Sequence, residues 1–369
     1  MKKIAARKPM PLTLMILLDL ILFGIALLVF AYFHHVRPSE ESAVGLSSTR
    51  TYARPTAAVT PAPSPTPSPV PTLVLNAATP DEVVLPTTEP AHTPDPTIEP
   101  VITPTVEPTP DPVGYFGSKF KDKFTTGEVI SEKNRYVSEN LCITVTKHKE
   151  PGLVYHLADI YMRDITSFQT LFADDKFGKG YQESTYHADI RSNAVLTMNG
   201  DFYGLRNYGV IVRNGMLYRT MKSAICDWCV LYWDGTMECY APGPVNADAI
   251  MEKGAYQSWY FGPMLLDENG QPKTTFNSHV EKRNPRSAIG YYEPGHYCLV
   301  VVEGRNDDSK GLKLVDFSKL MYDLGCKAAY NLDGGETAQM VFDDKTQNKL
   351  IDSGRKCSDF ITIVEPTFD

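Results

Sequence analysis

Hydrophobic positions fall into three regimes along the chain. The first is a nearly unbroken apolar run from Leu12 to Phe33. At about 1.5 Å rise per residue it is long enough to cross a hydrocarbon layer of about 30 Å. The run predicts a transmembrane helix. Lys2, Lys3, Arg7 and Lys8 precede it, and few basic residues follow it closely. That asymmetry places residues 1–11 in the cytoplasm as a basic tail and everything downstream outside. A cleaved signal peptide is the competing reading, but the run exceeds a usual h-region and no clean small-x-small site follows. We therefore read residues 12–33 as an uncleaved signal anchor, with Asp19 an unusual and costly polar residue inside the span.

In the second regime, residues 34–113, apolar periodicity is replaced by Pro, Thr, Ser, Ala and Val, as in Pro61-Ala62-Pro63-Ser64-Pro65-Thr66-Pro67. Proline at this density removes backbone donors and favours extended polyproline II, so the segment predicts a disordered, semi-rigid extracytoplasmic stalk.

The third regime, residues 114–369, carries the folding signals. Alternation at Leu141–Thr146 and Val154–Met162 predicts strands. Asn193–Met198 reads as a buried strand, and Gly209–Val212, Met216–Tyr218 and Cys229–Trp233 as a meander. Asp248–Ala255 is helix-compatible, and Lys310–Gly325 has Leu314, Phe317, Leu320, Met321 and Leu324 at helical spacing. Strand Tyr297–Glu303, this helix and strand Ala328–Leu332 form a crossover-like unit that delivers Asp333 to a strand end. The fold class expected is α+β: a single strand-rich, mixed-sheet domain with a few helices.

Two strand ends share one chemistry. Ala328–Leu332 runs into Asp333-Gly334-Gly335, and Asn193–Met198 runs into Asn199-Gly200-Asp201. Taken singly, the Asp333 corner is either a hairpin turn or a site, and the Asn199-Gly200-Asp201 corner reads as a hairpin turn. Together they suggest one shared site. Arg286 and Arg305, at strand edges of an acidic protein, add a local anion site, because guanidinium forks match phosphate oxygens.

Composition narrows the function classes. A net charge of −8 and a pI near 5.6 leave no basic footprint for nucleic acid. All seven cysteines lie beyond residue 140, an odd number whose pairing sequence does not give. Cys226, Cys229 and Cys239 lack a fourth nearby ligand for a structural zinc. No metal and no cofactor are expected.

Met198-Asn199-Gly200-Asp201-Phe202-Tyr203, Arg213-Asn214-Gly215, Phe261-Gly262-Pro263, Asn284-Pro285-Arg286-Ser287-Ala288-Ile289-Gly290, Glu303-Gly304-Arg305, Asn331-Leu332-Asp333-Gly334-Gly335 and Ser358-Asp359 resemble, in order, the motifs of the phosphodiester glycosidase family. Two departures stand out: Glu336-Thr337-Ala338 follow the glycine pair where Gly-Ser-Ser is common, and Glu303-Gly304-Arg305 replaces Asp-Gly-Arg.

The resemblance implies a hydrolase of sugar 1-phosphodiesters such as those of N-acetylglucosamine, with bacterial members tied to exopolysaccharide. Asp333 is then the principal carboxylate, Asp201 its partner or orienter, and Glu336 a further acid/base candidate. Arg286 and Arg305 hold the phosphate charge. Asn199 and Asn331 bond sugar hydroxyls or the acetamido group, Gly334 and Gly335 form an anion nest, and Gly200, Glu303 and Tyr203 complete the substrate side. The partner expected is a phosphorylated glycan at a single-pass cell membrane. Two other readings use the same residues: a non-catalytic glycan or teichoic-acid binder, and a metal-dependent phosphodiesterase with Asp201 and Asp333 as ligands.

Overall fold

The computed structural model describes residues 11–33, 39–40, 54, 111–206, 208–220 and 223–366. The expected stalk falls almost wholly outside them. The apolar run forms the 20-residue helix Leu12–Ala31, with none of its residues buried. It is the one helix among the described residues with the length and composition to cross a membrane.

The domain is organised by two facing sheets. The larger has seven strands in the order Ala328–Asn331, Arg286–Glu293, His296–Val302, Leu153–Met162, Leu141–Glu150, Arg135–Val137 and Ile130–Glu132. The smaller has five: Lys345–Thr346, Met340–Phe342, Leu196–Asn199, Asp359–Ile363 and Phe168–Phe172. Period-two alternation decides what each face meets. Tyr297, Leu299 and Val301 point with Ile143 and Ile160 into the core shared with Leu196, Met198, Met340, Phe342, Ile361 and Ile363 of the smaller sheet. Cys298, Val300 and Val302 point the other way, under Leu314, Phe317 and Met321 of the helix Leu314–Asp323.

Every pairing between described strands is antiparallel. The two strands joined through the 314–323 helix run parallel to each other only across the intervening 286–293 strand. The crossover is real, but it skips a strand. A three-stranded sheet, Met237–Tyr240, Trp228–Tyr232 and Ala255–Trp259, closes one end of the core with Leu231 and Trp259. The helix Thr185–Ser192, which the sequence reading did not contain, is capped by Ser184 accepting from the N–H of His187 at 3.2 Å.

Candidate active site

Strands Leu196–Asn199 and Ala328–Asn331 belong to different sheets, yet their ends meet. The Asp333 N–H donates to the carbonyl of Gly200 (3.2 Å), and the Asn199 side-chain amide donates to the carbonyl of Asp333 (2.6 Å). The Asn199 side-chain oxygen accepts from Ser287 Oγ (2.8 Å) and the Gln339 N–H (3.2 Å). Fully buried, with its oxygen accepting twice and its nitrogen bonded to the Asp333 carbonyl, Asn199 fixes the Asp333 main chain and does not line the cleft.

The junction opens into a cleft of about 210 Å³ lined by Arg286, Arg305, Asp333, Gly334, Gly335, Glu336, Arg355 and Phe261 among others. Asp333 is 5% exposed, with Oδ1 accepting from the Gly334 N–H (2.9 Å) and Oδ2 from Arg355 Nη2 (3.3 Å). Burial pushes its carboxyl up to about 6, against the pull of the Arg355 guanidinium. It can therefore change protonation state near neutral pH.

Arg286 is 3% exposed and donates only to carbonyls, those of Leu312 (3.0 Å) and Val280 (2.6 Å) among them. Burial lowers its guanidinium to about 10, and no ion pair within the described residues offsets that. Its Nη1 makes no hydrogen bond. A buried cation with one unbonded nitrogen at a cleft is a ready partner for an anion. Arg305 is held in the left-handed region (φ 55°), donates to Asn284 Oδ1 at 2.8 Å and stands 3.7 Å from half-exposed Glu336.

Other expected residues have different places. Asp201 is fully buried, outside the cleft lining, with its oxygens taken by the N–H groups of Phe202 (2.6 Å) and Tyr260 (2.5 Å). It acts as an orienter of backbone. Asn331 donates to the carbonyl of Gly262 (2.8 Å) and is buried beside it, away from the cleft. Glu303 accepts from His156 (3.0 Å) and the Lys349 N–H (3.1 Å) in a buried network, and Tyr203 stacks on Phe177. Neither lines the cleft.

The glycine pair is needed for close approach, since a Cβ on Gly334 would stand 2.7 Å from the carbonyl oxygen of Pro285. The expected anion nest is already filled: the Gly334 N–H serves Asp333, and the Gly335 N–H donates to Pro285 O at 3.0 Å. Gly200 is similarly confined, its would-be Cβ 3.1 Å from Asp359 O.

The sequence reading missed Arg355. A single arginine in a turn carries no periodic signal, and only its nearness to Ser358-Asp359 marked the segment. Behind the cleft, buried Arg213 is held by Asp359 Oδ2 at 2.6 Å, with Asp201 Oδ2 4.0 Å away.

Residues 192–364 match the model of the phosphodiester glycosidase family. Over this stretch the chain is similar to that family. Over 204 residues the chain is 31% identical to an uncharacterized SPbeta prophage-derived protein of Bacillus subtilis (strain 168), YomE, covering 52% of this chain and 31% of that protein. The chain thus spans about a third of its curated relative's length. Among solved structures it is similar to the zebrafish N-acetylglucosamine-1-phosphodiester alpha-N-acetylglucosaminidase catalytic domain auto-inhibited by pro-peptide, with a TM-score of 0.50, 19% identity, and coverage of 66% of this chain and 86% of that one. At that identity the likeness shows a shared fold. A hypothetical protein from Synechocystis aligns at a TM-score of 0.46 and 13% identity, over 64% of each chain.

Proposed function

We propose that this domain hydrolyses the glycosidic bond of a sugar 1-phosphodiester, of the N-acetylglucosamine 1-phosphodiester class, in a surface or environmental glycan. The chain carries the domain outside the cell on a single N-terminal membrane span. The observation that supports this reading most is Asp333, a buried carboxyl raised to about 6, sharing one cleft with the guanidinium groups of Arg286, Arg305 and Arg355.

The chemistry suits that arrangement. A phosphate monoester is a weakly basic leaving group at an anomeric carbon, so departure needs little proton donation. The larger demands are a seat for the phosphate charge and a carboxylate at the oxocarbenium-like carbon. Arg305, Arg355 and the unbonded Nη1 of Arg286 meet the first, and Asp333 meets the second. Glu336, on the rim, is the second carboxylate. In the net reaction the C1–O bond breaks with its electron pair leaving on the phosphate monoester. The oxygen of water forms the new bond to C1.

The test is to incubate the detergent-solubilised chain with a synthetic N-acetylglucosamine 1-phosphodiester and follow the products. Free N-acetylglucosamine and a phosphate monoester are expected, with a loss of about 10³-fold or more in Asp333→Asn. Sugar 1-phosphate as product, or binding without turnover, would replace this reading with phosphodiester cleavage or glycan binding.

A further inference from the structure

A pair of thiols lies on the helix-covered face of the seven-stranded sheet. Cys298 Sγ is 3.7 Å from Cys326 Sγ, and the two residues are 0% and 5% exposed. Cys298 sits in the strand His296–Val302, opposite Gly290 in register. Cys326 lies between the helix Leu314–Asp323 and the strand Ala328–Asn331.

The strand Arg286–Glu293 runs between the two cysteines, and Gly290 is what lets them meet across it. A Cβ at that position would stand 2.6 Å from each sulfur. Any other residue there would push the thiols apart. The surrounding cluster is aliphatic and aromatic, with Ala288, Val300, Phe317 and Met321 among its members, and the Tyr292 side chain packs against it beside Cys298.

We propose that Cys298 and Cys326 form a disulfide bond. Each thiol loses a proton and the pair loses two electrons as the S–S bond forms. The electrons pass to the disulfide of a thiol–disulfide exchange partner, which is reduced to two thiols. Closing the sulfurs to the bonded distance of about 2.05 Å takes rotation of the two side chains over Gly290.

The bridge has a consequence for the cleft. The strand of Cys298 ends toward Arg305, and Cys326 precedes the strand that ends toward Asp333. The covalent link thus ties the carriers of the cleft's arginine and its carboxylate.

The experiment holds the full chain in glutathione buffers from fully reduced to fully oxidised until its thiol pattern stops changing. Free thiols are then alkylated under denaturing conditions, and the unreduced digest is mapped by mass spectrometry. A peptide pair linked through Cys298 and Cys326 is expected in the oxidised buffers, converted to two alkylated peptides by dithiothreitol. Oxidation should raise Tm by roughly 10 °C, a gain absent from the Cys298→Ala/Cys326→Ala double variant. Both cysteines alkylated in every buffer, or either one linked to a different cysteine, would overturn the proposal.

Discussion

The backbone N–H of Asp333 donates to the carbonyl of Gly200 at 3.2 Å, joining the ends of two strands from two sheets at the floor of the cleft. Asn199 reinforces the joint by donating to the carbonyl of Asp333 at 2.6 Å while its oxygen accepts from Ser287 and Gln339. Asn199→Ala would leave these buried groups unpaired and cost about 2–3 kcal/mol in denaturant unfolding. A cost below about 0.5 kcal/mol would mean that Asn199 does not hold the joint.

Arg355 acts on the protonation of Asp333. Burial raises the carboxyl to about 6 and the guanidinium pulls it back down, so kcat/KM should rise as pH passes about 6 and the carboxylate forms. Removing the cation in Arg355→Gln should move that acid limb to higher pH. A pH–rate profile checks the sign: an unmoved or lowered limb would separate Arg355 from the titrating group.

Arg213 is the counter-cation for two carboxylates behind the cleft, those of Asp359 and Asp201. Arg213→Met would strand both in an apolar interior and lower stability by about 3–5 kcal/mol. The added double change Asp359→Asn should recover part of this in the same unfolding measurement, because it removes one of the stranded charges.

Asp189, on the helix Thr185–Ser192, is fully buried, with the Thr197 hydroxyl beside it and no ion-pair partner among the described residues. Burial raises it from 3.8 to about 6. With the folded value above the unfolded one, its contribution to stability is full below about pH 4 and is lost as pH rises to about 6. Asp189→Asn removes that loss. The variant should gain about 2–3 kcal/mol on the wild type at pH 7.5 and little at pH 4, measured as paired unfolding curves.

Much of this was legible along the chain, for physical reasons that differ by element. Long alternating runs such as Leu153–Met162 announce themselves through period two, and the helix Leu314–Asp323 through its apolar stripe. The helix Thr185–Ser192 shows no such stripe, having only Thr185, Ala188 and Asp189 buried, and so escaped notice. At the site, strand-then-Asp-Gly located Asp333 and its meeting with the Asn199-Gly200-Asp201 corner. Sequence did not tell a residue that faces the cleft from one that supports it. Asn199, Asp201 and Asn331 have the chemistry of ligands, but all three are buried outside the cleft lining and bond the backbone around it. Arg355 has the chemistry of a surface residue and enters the cleft from a distant turn.

The proposed cleavage at carbon rather than phosphorus is tested most directly by hydrolysing an N-acetylglucosamine 1-phosphodiester in ¹⁸O-labelled water and weighing both products. The account predicts the label on the anomeric hydroxyl of the released sugar, with an unlabelled phosphate monoester. Label on phosphorus would contradict it.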